Sequence, residues 1–174
     1  MNNRYHLSTR ILHWLMALMF FGLIAIGYTM GDIPREDPLR GTLFGWHKAT
    51  GFIFLCLAFI RVAMLAFVKA PELPAAFSNT ERKLTKSTKH LLYLGLVLVP
   101  LSGWGMSNFN GYPIKLGDFA VPLVFGKHEG LADLFHEIHE YAPWVLLALV
   151  VAHLTAVIYH KLEGGEKDIL RRML

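Results

Sequence analysis

Residues 139–160 read HEYAPWVLLALVVAHLTAVIYH. The stretch is long and apolar enough to cross a bilayer, which takes about 20 predominantly apolar residues in a helix. It nevertheless carries His139 and His153. An ionisable side chain at membrane depth is costly and is a functional hypothesis by default. The two histidines are fourteen residues apart, almost four helical turns, so they share one face. At a rise of about 1.5 Å per residue they lie about 21 Å apart in depth.

Three more stretches of this kind precede it: ILHWLMALMFFGLIAIGYTM at 11–30, LFGWHKATGFIFLCLAFIRVAMLAFV at 43–68 and HLLYLGLVLVPLSGWGM at 90–106. The third is the shortest and contains Pro100, which a membrane helix tolerates with a kink. The first is too long for the apolar region of a signal peptide, so it reads as a span that stays in the protein. The expected fold is all-α, an integral membrane four-helix bundle forming one domain over 1–174. Composition agrees: 54% of the 174 residues are hydrophobic and 17% charged, against roughly 25% charged in soluble domains. Residues 31–42 form a short turn-rich loop, 69–89 end in a basic run, and 107–138 form the longest connection. Within the last, LADLFHEIHE is amphipathic and extends the fourth helix outward.

The charges orient the bundle. Arg4, Arg10, Arg61, Lys69, Arg82, Lys83, Lys86, Lys89, Lys161, Lys167, Arg171 and Arg172 fall on one side of a four-span chain. Arg35, Arg40, Lys48, Lys115 and Lys127 fall on the other. Twelve basic residues with five acidic ones give the first side +7; five basic with eight acidic give the second −3. The positive-inside rule then places both termini in the cytoplasm. No nucleic-acid partner is expected. Trp14, Trp46, Trp104 and Trp144 stand near span ends, as an interfacial belt or as packing residues. The single cysteine, Cys56, excludes a disulfide within the chain and a thiolate zinc cluster, and reads as a small buried hydrophobe.

With this orientation His13 lies near the cytoplasmic face, and His47 and His139 near the outer face. His153 returns to the level of His13. The four histidines therefore fall into two depth-matched pairs, His13 with His153 and His47 with His139. Two haems, one per pair of axial ligands, fit the pattern. Zinc fits poorly, because no carboxylate or thiolate at these depths completes a tetrahedron. A lone buried histidine can simply hydrogen-bond a neighbouring helix, but four at paired depths argue against that. Gly51, one turn below His47, could clear space for a macrocycle or allow close helix packing. Arg61, fourteen residues after His47, could pair with a propionate or snorkel to the interface. His160 could meet a quinone carbonyl or anchor the helix end. His136, one turn before His139, rivals it as a ligand. His6 and His128 read as solvated, and His90 as a cap of the third helix.

Together these elements resemble the bacterial cytochrome b561 family over nearly the whole chain. The resemblance rests on Arg10-Ile-Leu-His13-Trp14, Trp46-His47-Lys48-Ala49-Thr50-Gly51, Arg61, Leu92-Tyr93, Pro100-Leu-Ser-Gly103-Trp104, His139-Glu140, His153, Tyr159-His160 and the tail from Lys167 to Met173. It implies two haem b groups, with His13 and His153 on the inner iron and His47 and His139 on the outer. It also implies a multi-pass protein of the bacterial inner (cytoplasmic) membrane that exchanges electrons with ubiquinone or another quinone, near His160. Superoxide oxidation is one activity of such relatives, and service to a partner subunit is another; a homodimer is a further option.

Two readings of the activity stand side by side. In the first, superoxide is oxidised at the outer face, drawn by Lys48, Arg35 and Arg40, and quinone is reduced. In the second, the chain relays electrons between quinone and an outer-side redox protein without being an enzyme. The net −3 of the outer side opposes steering of an anion and favours the second. A haem-free protein using its histidines for metal or protons is a distant third. Pro143 departs from the expected pattern. It cannot donate to the His139 carbonyl, so the helix should start near it or kink there.

Overall fold

The computed structural model describes residues 4–174. Four long helices carry the fold: α1 (Leu7–Asp32), α2 (Pro38–Phe67), α3 (Asn79–Phe109) and α4 (Glu129–Glu163). Each is long and apolar enough to cross a membrane. The architecture is an all-α four-helix membrane bundle. Each helix start has a local cause. Asp37 accepts the Leu39 N–H and is followed by Pro38, whose ring suits the first turn. Ser78 and Glu81 form a reciprocal capping box. The His6 and His128 imidazoles cap α1 and α4.

Several expected boundaries move. The basic run before residue 90 is the first part of α3, so α3 has 31 residues and α1, with 26, is the shortest. His90 is an exposed side chain inside α3, not its cap, which is Ser78. The helix does not begin near Pro143. It starts at Glu129 and runs through the proline, the amphipathic 131–140 stretch supplying its first turns. Cys56 is exposed on the bundle surface rather than buried, facing where lipid would lie.

The helices pack in sequence order, α1 on α2, α2 on α3, and α3 most extensively on α4. Neither α1 nor α2 forms a comparable packed pair with α4. Lipid tails are as apolar as leucine, so membrane helices associate through close packing and small residues. Gly95 shows this in the α3–α4 seam: a Cβ there would lie 2.7 Å from Leu146 Cδ1. Met16, Phe20, Phe54, Ala58 and Leu146 form the buried centre. Leu146 stands seven residues from both His139 and His153, so this apolar layer lies midway between the two histidine levels. Outward-facing residues such as Leu18, Phe59 and Ile60 are exposed, the inverted surface of a membrane protein.

The outer end is closed by residues 110–128, which contain a two-stranded hairpin, β1 (Lys115–Leu116) with β2 (Phe119–Ala120). Phe125 holds the segment to α3, stacking on Phe109 at 5.2 Å while its N–H donates to Asn108 Oδ1 at 2.9 Å. Trp104 packs on Phe125, so it is a packing residue, whereas Trp14, Trp46 and Trp144 are exposed as a belt requires. At the other end, residues 164–174 fold back across the bundle in two short 3-10 turns. The Tyr5 N–H donates to the Arg172 carbonyl and the Trp14 indole N–H to the Met173 carbonyl, both at 3.0 Å. The Arg172 guanidinium donates to the Glu72 carbonyl. The tail thus ties α1 to the α2–α3 loop.

Candidate cofactor site

The outer histidines meet. The rings of His47 and His139 lie with centroids 6.0 Å apart at an interplanar angle of 76°. Two imidazole–metal bonds of roughly 2 Å each, extended by two ring radii, would place centroids about 6 Å apart. The spacing therefore suits two axial ligands of one metal. Their helices, α2 and α4, are not packed backbone to backbone.

His139 is held in one orientation. Its Nδ1 lies 2.9 Å from the Val99 carbonyl and 3.1 Å from Ser102 Oγ, and the Ser102 hydroxyl donates to the same carbonyl at 2.7 Å. A carbonyl can only accept, so Nδ1 carries the proton and Nε2 keeps its lone pair for a metal. Support of this kind normally orients metal-bound histidine. The ring reaches Val99 because residue 103 is glycine. A Cβ there would lie 2.7 Å from Cε1 and 3.0 Å from Nδ1 of His139.

His47 faces a comparable pairing of carbonyl and glycine on α1, without the hydrogen bond that His139 makes. Its imidazole lies against the Leu23 carbonyl, and a Cβ at Gly27 would come within 3.2 Å of its Cε1. In each case a carbonyl is paired with a glycine four residues later, the position whose side chain would otherwise cover that carbonyl. The seat on α1 is looser, since His47 Nδ1 is buried without a hydrogen bond. His136, by contrast, points outward with its side chain 63% exposed and lies 3.8 Å from Glu140.

The inner level is arranged differently. His13 and His153 are both half-buried, but their rings make no contact of the kind that joins His47 and His139. Arg61 lies instead beside His13, its Nη2 3.2 Å from Nδ1. The guanidinium stacks over the Tyr93 ring at 5.6 Å, and its Nη1 is buried without a partner. It does not snorkel. Arginine has no acceptor, so His13 Nδ1 accepts from it and the proton sits on Nε2. A metal at Nε2 needs the other tautomer, which would release Arg61 with at least two donors free for an anion. Gly51 meets no atom within 4 Å of a built Cβ, so no helix packs against it. These residues fit a haem at the outer level, and the inner donors suit one with an anionic propionate near Arg61.

His160 is 7% exposed, stacked on Phe77 at 4.6 Å and 3.1 Å from the Glu163 carboxylate. Lys167 Nζ bridges Glu81 at 3.0 Å and Glu163 at 2.9 Å. Glu81, His160 and Glu163 could gather round a metal ion, but the Lys167 ammonium already lies between the two carboxylates. Lys48 lies 5.5 Å from the Tyr112 ring, Arg40 stacks over Phe44 at 5.4 Å, and Arg35 is exposed in the α1–α2 loop. Gly27, Gly103 and Ser102 were not read as site residues from sequence. The signal available was a glycine at membrane depth on a helix facing a histidine.

The model of prokaryotic cytochrome b561 matches residues 4–174. The chain belongs to this family. It is also 28% identical over 173 residues to cytochrome b561 homolog 2 of Escherichia coli strain K12, covering 98% of this chain and 91% of that protein. As a prokaryotic cytochrome b561 it is a multi-pass membrane protein whose business is electron transfer by b-type haem.

Proposed function

We propose that this cytochrome b561 holds two haem b groups in the bacterial inner membrane, His47 and His139 on the outer iron and His13 and His153 on the inner. The observation that carries the reading is His139, fixed by Val99 and Ser102 with Nε2 directed away from its own support and its ring 6.0 Å from that of His47. Bound haem supplies one-electron redox chemistry. The overall reaction oxidises two superoxide anions to dioxygen and reduces one quinone, which takes up two electrons and two protons. Lys48 and Arg40 offer positive charge at the outer end. At the inner end the Glu163 carboxylate accepts from His160 Nδ1, so only the imidazolium form of the ring, which also carries a proton on Nε2, would donate to a quinone carbonyl. Arg61, if released from His13, would offer its guanidinium to a haem propionate.

The test uses the purified, oxidised full-length protein mixed with superoxide in stopped flow with ubiquinone present. Quinone reduction faster than uncatalysed dismutation allows is the expected result. Absence of reduction at a haem-to-protein ratio near two would refute superoxide as donor while leaving the haem ligands intact. The outer side's net −3 favours a second reading, a relay between quinone and an outer redox protein or partner subunit. That reading is supported if a cationic redox protein, and not superoxide, exchanges electrons with the purified protein.

A further inference from the structure

At the cytoplasmic end, the start of α1 and the end of α2 border an open cleft of about 720 Å³ lined by Arg4, Tyr5, His6, Leu7, Arg10, Phe67, Val68 and Lys69. Three permanent cations and no carboxylate line it. Among the described residues none of the three is in an ion pair. The Nε of Arg10 is buried without a hydrogen-bond partner. A buried, unpartnered guanidinium nitrogen is costly unless something accepts from it. His6 is occupied by Ser8 at 2.7 Å, so it adds no further demand.

The cleft is not only cationic. Phe67 is 85% exposed and Leu7 60% exposed, and both lie on its wall. Arg10 stands three residues from His13 in the span, so the cleft opens where headgroups meet acyl chains. A soluble anion would satisfy the cations and leave Phe67 and Leu7 bare. A molecule with a phosphate at one end and hydrocarbon at the other satisfies both. Basic pockets between helix ends on the cytoplasmic side suit anionic headgroups, and arginine's fork matches phosphate oxygens.

We propose that this cleft is a specific site for one anionic phospholipid, its phosphate held by Arg4, Arg10 and Lys69 and its acyl chains lying along Leu7 and Phe67. The probe is phosphatidylglycerol added to the haem-loaded, full-length protein in neutral detergent. Native mass spectrometry counts bound lipid, and thermal unfolding reports stabilisation. One retained phosphatidylglycerol and a raised Tm are expected, with neither produced by phosphatidylcholine nor by inorganic phosphate. The R10Q/K69Q variant should bind it about thirty-fold more weakly. A K83Q/K86Q control removes equal charge from the exposed start of α3 and should bind normally. Haem absorbance in each variant confirms folding. Equal retention in R10Q/K69Q, equal loss in the control, or a full effect from phosphatidylcholine would each overturn the proposal. Reproduction of the whole effect by phosphate would make the cleft a simple anion site and overturn it equally.

Discussion

Gly103→Ala isolates the seat of the outer histidine. The added methyl would lie 2.7 Å from His139 Cε1, 3.0 Å from Nδ1 and 3.1 Å from Nε2. Real carbon contacts do not reach 2.7 Å, so the ring must move and the 2.9 Å hydrogen bond from Nδ1 to the Val99 carbonyl must lengthen. The competing effects can be ranked. Alanine in place of a helical glycine favours the helix by roughly 1 kcal/mol. Overpacking a tight site costs about 1–3 kcal/mol, and the half-buried ring can swing to relieve part of it. The apoprotein should therefore change little in stability. The metal site should change much more, because loss of a supporting hydrogen bond typically costs 10–100-fold in metal affinity. On the proposed ligand assignment, haem content falls from two per chain towards one. The measurement is haem per protein by alkaline pyridine spectrum, with redox potentials taken from what remains. Two haems with unchanged potentials in Gly103→Ala would refute the idea that glycine and the Val99 carbonyl together orient the ligand.

Other substitutions divide the remaining roles. His139→Ala should lose one haem while His136→Ala keeps both; the reverse result, read by the same spectrum, would hand the ligand role to His136. Gly51→Ala adds a methyl that meets no protein atom, so it should leave the apoprotein as stable or stabilise it slightly. It should still lower haem content if a macrocycle lies there, and a fully loaded variant would remove Gly51 from the site. Arg61→Gln should lower the potential of one haem and leave the other unmoved, seen in a redox titration; no shift would show that Arg61 does not reach a propionate. Lys167 is held above its ordinary pKa by hydrogen bonds from its ammonium first to Glu163 and then to Glu81. A raised folded-state pKa stabilises fully below the ordinary lysine value and is lost as pH rises through the raised one. The protection of residues 164–174 against hydrogen exchange, taken relative to the intrinsic base-catalysed rate at each pH, should therefore hold through neutral pH and fall only in strong alkali. Lys167→Met should quicken it at neutral pH.

The spans and the depths of the histidines were legible in the sequence because both follow from quantities that tertiary context hardly alters. Apolar length sets a span, and a constant helical rise converts fourteen residues into a fixed depth. The meeting of His47 with His139 follows from that arithmetic. Helix ends were less legible. Residues 79–89 are helical yet charged, and hydropathy reports partition into lipid rather than hydrogen bonding. Pro143 lies inside α4 rather than at its start, because a missing donor can be absorbed inside a long helix whose other residues pack well. Contacts that depend on how each helix is rotated were not legible. That Arg61 turns to His13, that Cys56 faces outward and that Gly103 accommodates an imidazole all depend on helix rotation, which no local pattern states. The Pro100-Leu-Ser-Gly103 run was visible as a motif, but its meaning lies in Ser102 and a backbone carbonyl 40 positions before His139 in the chain.

The apolar layer of Phe20, Phe54 and Leu146 has an electrical consequence. It fills the middle of a dry gap, with the histidine levels on either side about 21 Å apart in a hydrocarbon core of roughly 30 Å. A charge carried from one level to the other crosses about two thirds of the membrane voltage, worth about 1.5 kcal/mol per 100 mV. With the interior negative, an electron travelling inward works against that voltage and one travelling outward is helped by it. On the proposed ligand assignment the two levels would make the bundle a voltage-sensitive conductor, whose rate in energised vesicles should differ between the two directions even where the redox couples are matched.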